Sequence, residues 1–108
     1  MSQFMFTTPL GTSFPATLME RRYRDGSLAI EMLMPDGEPY GLLTKSLPGA
    51  QPLDGSCVFL DENNFPSIGQ WLESYGLGEP TNRACECGFC VYPEYRINVK
   101  KINEVMEK

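Results

Sequence analysis

Glycine and proline constrain this chain most, because ten glycines and nine prolines account for 19 of its 108 residues. Glycine accepts positive φ angles, whereas proline fixes φ and has no N–H to donate, so both residues favour turns over long regular elements. The chain is therefore expected to be rich in turns and short elements. This composition argues against a helical bundle and excludes a coiled coil.

Two turn signals predict an antiparallel meander in the first half of the chain. Asp25-Gly26 is the dipeptide that best supplies the positive φ angles of a tight hairpin. Pro35–Gly37 combines a fixed φ with a glycine that accepts the left-handed region. Three strands are predicted around these turns, at Pro15–Tyr23, Leu28–Met34 and Tyr40–Lys45.

A loop, a strand and a helix are predicted next. Ser46–Ser56 contains two prolines and two glycines, which predicts a surface loop, and the apolar run Cys57–Leu60 predicts a buried fourth strand. A helix is expected to begin at Asn63-Asn64, which offers an N-cap, and to end at Gly76. Its apolar stripe at i, i+3, i+4 and i+7 consists of Ile68, Trp71, Leu72 and Tyr75, with Trp71 predicted in the core.

The C-terminal segments complete the predicted fold. Arg83–Tyr92 predicts a fifth strand with a bulge at Gly88, and Tyr95–Val99 predicts an edge strand or a continuation beyond Pro93. The fold class is α+β, with a mostly antiparallel sheet of about five strands packed by one central helix. Residues 1–108 form a single globular domain, with a short C-terminal helix as an option and the N-terminus and C-terminal tail as candidate flexible segments.

Charge and composition exclude several classes of function. Nine basic and 14 acidic residues give a net charge of −5, which argues against direct nucleic-acid binding because that affinity depends on Lys and Arg. The chain has no histidine and no phosphate-binding glycine motif, so we expect a non-enzymatic protein without catalytic residues or a cofactor. No signal-peptide pattern and no long apolar run is present, which predicts a cytoplasmic protein without membrane contact.

The cysteines form the sharpest local motif, Cys85-Glu86-Cys87-Gly88-Phe89-Cys90, with Cys57 as a candidate fourth thiolate. Zinc usually takes four sulfurs from two short-spaced pairs, and only Cys87-x-x-Cys90 has that spacing. Structural zinc, a redox dithiol and inert thiols all stay open at this point. Inert thiols are favoured because free cysteine packs as a small hydrophobe, so no metal is assigned and folding without metal or disulfides is predicted.

Several short motifs occur together: GEPYGLLT, LPG, NNFP, GLGEPT and GFCVYPEY. In this order they resemble a family of small bacterial proteins that is known only as a domain of unknown function and is also found on mobile elements. The resemblance covers roughly Gly37 to Tyr95 and implies a bacterial cytosolic origin. It brings no catalytic residues that could be transferred to this chain.

Tyrosine and arginine side chains provide the candidate binding residues. Three tyrosines lie near predicted strand ends, where a phenol would be half exposed, and Arg83 and Arg96 lie on the same C-terminal segments. Tyr and Arg together at a surface are typical of protein contacts, although rings that cap the open end of a sheet explain the same pattern. The candidate binding residues are Tyr40, Arg83, Tyr92 and Tyr95.

Three functional hypotheses follow. The first is a non-enzymatic bacterial protein-binding or regulatory module that contacts a protein or peptide through an exposed sheet end or the loop Leu47–Ser56. The second is an acidic, mobile-element inhibitor that mimics DNA and antagonises a nucleic-acid enzyme. The third is a zinc or thiol-redox protein built on the cysteines. The oligomeric state is left open.

Overall fold

The computed structural model describes residues 4–47 and 49–106, and for residues 104–106 it describes the backbone only. The expectations for the extreme N-terminus and for the last two residues of the tail lie outside these ranges. Over the described residues the chain forms eight strands and two short helices. They are β1 (Phe4–Thr7), β2 (Ser13–Arg22), β3 (Leu28–Leu33), β4 (Pro39–Leu42), β5 (Thr44–Lys45), β6 (Cys57–Leu60), α1 (Ile68–Ser74), β7 (Gly78–Cys87), β8 (Cys90–Ile97) and α2 (Val99–Met106).

The α+β class and the antiparallel pairing are confirmed, but the strands form two sheets of four rather than one sheet of about five. The first sheet has the order β1-β2-β3-β4, and the second has the order β5-β6-β8-β7. The predicted strand Tyr40–Lys45 divides at buried Leu43. The N–H of Leu43 donates to the carbonyl of Ile30 in the first sheet, while its carbonyl accepts the N–H of Asp61 after β6. One residue therefore links the two sheets.

Both predicted hairpin turns are present. Gly26 and Gly37 have φ angles of 87° and 89°, which glycine adopts without steric cost. In each turn the preceding aspartate accepts a backbone N–H two residues ahead, Asp25 from Ser27 and Asp36 from Glu38. These local bonds explain why the first meander could be predicted from short sequence signals.

Strand β1 has no counterpart in the sequence analysis. It pairs with β2, and its residues Phe4 and Phe6 are buried in the main core. Helix α1 covers it, because Trp71 Nε1 and Tyr75 Oη both donate to the carbonyl of Met5, at 2.8 and 3.2 Å. Trp71 was predicted inside the core; it is half-buried at the core edge and packs its ring against Phe4 and Phe6.

Helix α1 begins later than predicted, after Ser67 rather than at Asn63-Asn64. Ser67 has a φ of 63° and its side chain makes no capping bond; instead Glu62 Oε2 accepts the N–H of Gly69 at 3.0 Å. The predicted glycine end is confirmed. Gly76 has a φ of 69°, and the N–H of Leu77 returns to the carbonyl of Leu72 at 2.9 Å.

The predicted single strand Arg83–Tyr92 is wrong, because the chain reverses direction at Gly88-Phe89 and forms the β7–β8 hairpin. Gly88 has a φ of 66° and is followed by a residue without positive φ, which is the arrangement of a type II′ turn. The bulge lies elsewhere, between Pro80 and Ala84, where Asn82 has a φ of 70°. Strand β8 continues through Pro93 to Ile97 and lies between β6 and β7.

Candidate functional site

The four predicted binding residues do not come together at one surface. Arg83 and Tyr92 lie in the β7–β8 hairpin, Tyr95 lies further along β8 beneath α1, and Tyr40 belongs to β4 of the other sheet. Half-exposed phenols were predicted at all three tyrosines, yet Tyr92 and Tyr95 are buried, at 8% and 7% exposure. This burial corrects the expected accessibility of two of the four residues.

Tyr40 is half-buried in an aromatic cluster on the first sheet. Its ring centroid lies 5.5 Å from that of Phe6, 5.4 Å from that of Phe14 and 5.9 Å from that of Phe65. The next residue, Gly41, leaves space for the Phe65 ring, since a Cβ there would lie 2.5 Å from that ring. The position of Tyr40 is therefore explained by packing.

Tyr95 attaches helix α1 to the second sheet. Its Oη donates to Glu73 Oε2 at 2.6 Å, and the phenol lies against Gly69, where a Cβ would come within 2.5 Å of Oη. Burial raises the pKa of Tyr95, and the hydrogen bond to Glu73 raises it further. The neutral phenol is thus an internal structural donor.

Tyr92 belongs to a second, smaller apolar cluster at the base of the hairpin. Leu47 and Phe59 share this cluster, and Cys85 and Cys90 pack against it. Burial raises the pKa of the Tyr92 phenol, and the adjacent Cys90 thiol adds to the shift. The cluster gives the hairpin a packed base against β6 and the loop that follows β5.

Glu94 is the residue at this base that the sequence analysis did not select. Its carboxylate is fully buried and accepts from Thr81 Oγ1 at 2.6 Å and from the N–H of Leu53 at 2.7 Å. Arg83 Nε lies 3.6 Å from Glu94 Oε1, and Arg83 also donates to the carbonyl of Gln51. Arg83 therefore holds the loop and the buried carboxylate, with about half of its side chain exposed.

The long loop before β6 is fastened at a second point. Asp54 Oδ2 accepts from Arg96 at 2.8 Å, and Asp54 Oδ1 accepts from the N–H and the hydroxyl of Ser56. The Arg96 guanidinium and the Ser56 donors hold the pKa of Asp54 well below its usual range. Arg22 reaches the carbonyl of Gly55 from the first sheet. The predicted surface loop is thus tied to both sheets.

Three cysteines share one face of the hairpin. Cys87 pairs with Cys90 and Cys85 pairs with Tyr92, so Cys85, Cys87 and Cys90 point to the same side. Cys57 is buried opposite Arg96, towards the far end of β8. All four are free thiols, and within residues 4–47 and 49–103 no group of three or more Cys, Asp or Glu side chains is placed to hold a metal ion.

The hairpin apex is apolar and open to solvent. The side chain of Phe89 is fully exposed, and Cys87 is exposed on the face of the three cysteines. Val91 is about half exposed on the opposite face, across from Glu86. Phe89 was not among the predicted binding residues, because Gly88 was predicted to form a bulge inside a strand. The Gly-Phe pair between two cysteines was the available signal. An exposed aromatic apex on a packed base is the feature of this hairpin that suits contact with another molecule.

Two shallow clefts adjoin the hairpin. One, of about 440 Å³, lies between the loop and β7 and is lined by Gln51, Phe59, Arg83 and Cys85. The other, of about 620 Å³, lies at the opposite end of β7 and is lined by Glu73, Glu79, Arg96 and Asn98. Arg96 is already paired with Asp54.

Comparison with known proteins identifies a family and no individual relative. The model of a family described as a domain of unknown function (DUF4313) matches residues 17–108. The resemblance seen in the short motifs is confirmed at this level, and it extends about 20 residues further towards the N-terminus. No curated protein and no solved structure matches the chain. Among the described residues, no helix is long and apolar enough to cross a membrane.

Proposed function

The chain belongs to the DUF4313 family of domains of unknown function, and from its own geometry we propose a protein-binding or regulatory module without enzymatic activity. The setting we propose is the bacterial cytoplasm. The contact element is the apex of the β7–β8 hairpin, with the exposed side chain of Phe89 as the anchor. The partner is a protein whose surface offers an apolar pocket for an aromatic ring.

The single observation that carries this proposal is the full exposure of Phe89 on a fixed base. Moving a phenylalanine side chain from water into an apolar pocket contributes about 1.5–3 kcal/mol. Tyr92 packs below the apex, and Glu94 ties the loop to the same strand, so few side chains must become ordered when a partner binds. Such preorganisation leaves more of the burial energy for affinity.

The polar groups around the hairpin support binding rather than catalysis. Glu94 is fully occupied by Thr81, Leu53 and Arg83, and Tyr95 is occupied by Glu73. In the part of the chain that the structure describes, every buried side-chain nitrogen or oxygen has a hydrogen-bond partner. Because these groups are hydrogen-bonded within the fold, we propose that they hold the contact surface in place and take no part in catalysis.

The DNA-mimic alternative ranks second. Four carboxylates pair with arginines within the fold, which reduces the negative field that a mimic of phosphates would need. The pairs are Glu31 with Arg21, Glu20 with Arg22, Glu94 with Arg83, and Asp54 with Arg96. Ionic strength separates the two functions, since a carboxylate-driven contact weakens steeply with added salt and an apolar contact changes little.

The test is affinity capture of the tagged full chain from its native host, comparing wild type with Phe89→Ser and with Leu10→Ser. Leu10 is a matched control because it is also almost fully exposed, in a turn of the other sheet. We expect a partner to be recovered with wild type and Leu10→Ser, and recovery to fall about 10- to 100-fold with Phe89→Ser, as loss of the buried ring implies.

Equal recovery with Phe89→Ser would contradict the proposal. The captured partner is then purified, and its binding is measured at low and moderate salt. A steep loss of affinity with salt, together with loss of binding in an Asp61→Asn, Glu62→Gln double variant, would favour the DNA mimic instead. That double variant needs a folding control, because Asp61 accepts from the side chain of Asn64 and Glu62 accepts from the N–H of Gly69 in α1.

A further inference from the structure

We propose that Cys87 and Cys90 form a reversible disulfide across the hairpin turn when the protein meets a small-molecule or protein disulfide, and that Cys85 remains a thiol. The inference rests on the register of the β7–β8 hairpin, in which Cys87 and Cys90 are directly opposite each other. Its chemistry does not depend on the protein-binding function. Only its effect on a partner rests on that function.

The separation of the two residues suits a disulfide. Residues that flank a two-residue hairpin turn form a hydrogen-bonded pair with Cα atoms about 5.5 Å apart, and disulfides accept Cα separations of about 4.4–6.8 Å. Cys87 and Cys90 are the last pair before the two-residue turn, and both side chains lie on the same face. A bond between them closes a ring that contains Gly88 and Phe89.

The other pairings are geometrically worse. Cys85 faces Tyr92, so it is diagonal to Cys90, at a Cα separation of about 7–8 Å. Cys85 and Cys87 follow one another on one face of β7, and their parallel Cβ vectors stay about 6.6 Å apart, beyond the usual 3.5–4.5 Å. Cys57 is buried opposite Arg96, six positions along β8 from Cys90, which is about 20 Å.

The difference in exposure between Cys87 and Cys90 determines which thiol reacts first. Exposed Cys87 attacks one sulfur of the external disulfide as a thiolate, forming a mixed disulfide and releasing one thiol. The Cys90 thiolate, half-buried beside Tyr92, then attacks the Cys87 sulfur and releases the second thiol. The protein loses two electrons and two protons, and the external disulfide gains them as two thiols.

A disulfide between Cys87 and Cys90 constrains the apex of the hairpin, which carries Phe89. The ring restricts the backbone at Gly88 and Phe89, so the oxidised hairpin holds the exposed aromatic in fewer conformations. If the apex binds a partner as proposed above, oxidation should strengthen that binding through preorganisation. The disulfide itself can be tested without any partner.

The experiment equilibrates the purified full chain with mixtures of oxidised and reduced glutathione, quenches with acid, alkylates free thiols and digests with a protease that cleaves after glutamate. Cleavage after Glu73, Glu86 and Glu94 separates the peptide of Cys85, residues 74–86, from the peptide of Cys87 and Cys90, residues 87–94, since the Glu79–Pro80 bond resists the protease. We expect the second peptide to appear unalkylated and two hydrogens lighter, while Cys57 and Cys85 are alkylated.

Variants make the assignment specific. Cys85→Ser should leave the crosslinked peptide unchanged, whereas Cys90→Ser should stop at a glutathione adduct on Cys87. The proposal is overturned if wild type accumulates glutathione adducts without ring closure, if Cys85 enters the crosslink, or if the main product joins two chains. Far-UV circular dichroism of each variant verifies the fold before oxidation.

Discussion

The backbone N–H of Leu53 donates to the carboxylate of Glu94 at 2.7 Å, joining two residues that are 41 positions apart in the sequence. This bond fixes the loop before β6 to the strand that carries the hairpin. Because Glu94 is fully buried, the bond forms in a setting where an unpaired acceptor is costly. The loop and the hairpin therefore behave as one unit.

Replacing Glu94 with alanine should destabilise the fold and release the loop. Each hydrogen bond to a charged group contributes about 1.5–3 kcal/mol, so we expect the free energy of unfolding to fall by roughly 2–4 kcal/mol in chemical denaturation. Hydrogen exchange should show the amide of Leu53 protected in wild type and rapidly exchanging in Glu94→Ala. Glu86→Gln, at an exposed position of the same hairpin, is the control. Unchanged protection of Leu53 would show that the carboxylate does not hold the loop.

A methyl group at Gly69 should destabilise the junction between α1 and the second sheet. Alanine normally favours a helix over glycine, but here its Cβ would lie 2.5 Å from Tyr95 Oη and 2.9 Å from Glu62 Oε2. We expect Gly69→Ala to lower the free energy of unfolding by about 1–3 kcal/mol. Gly55→Ala, where nothing lies within 4 Å, should change it by less than about 0.5 kcal/mol. Equal effects of the two substitutions would refute this packing account.

The ion pair of Asp54 and Arg96 should make the free energy of unfolding fall as the solution becomes acidic. The pKa of Asp54 is lowered in the folded protein, chiefly by the hydrogen bond from Arg96. Its contribution to the free energy of unfolding is therefore complete above the unfolded pKa of about 3.9 and is lost as pH falls through the folded pKa. Asp54→Asn keeps an acceptor for Ser56 but removes the charge. Its denaturation midpoint should therefore depend less on pH than that of wild type below about pH 4. Parallel curves for the two proteins would contradict the assigned role.

The parts of the fold that sequence could predict are those determined by local chemistry. Asp25-Gly26 and Pro35–Gly37 form turns from their own backbone preferences and side-chain bonds. Gly76 ends α1 for the same reason. The apolar stripe of α1 also predicted its packing face, although Trp71 at the edge of that face forms a long-range bond to Met5.

The parts that sequence could not predict depend on distant partners. Leu43 divides a strand because its N–H and carbonyl find partners in different sheets. Glu94 can be buried because Thr81, in the bulge of β7, and Leu53, in the loop before β6, both donate hydrogen bonds to its carboxylate. The hairpin turn at Gly88 was missed because Gly-Phe is a weaker hairpin signal than Asp-Gly. Phe89 is therefore exposed at a turn that was predicted as the interior of a strand, whereas Tyr92 and Tyr95 are buried.

The central claim, that Phe89 contacts a partner protein, is tested most directly by placing a photocrosslinking phenylalanine analogue at position 89 of the full chain in its native host. The same analogue at Leu10 is the control, because both side chains are exposed and lie on different sheets. We predict a light-dependent adduct with a specific protein from position 89 and none from position 10. No adduct from position 89, or the same adducts from both positions, would contradict the account.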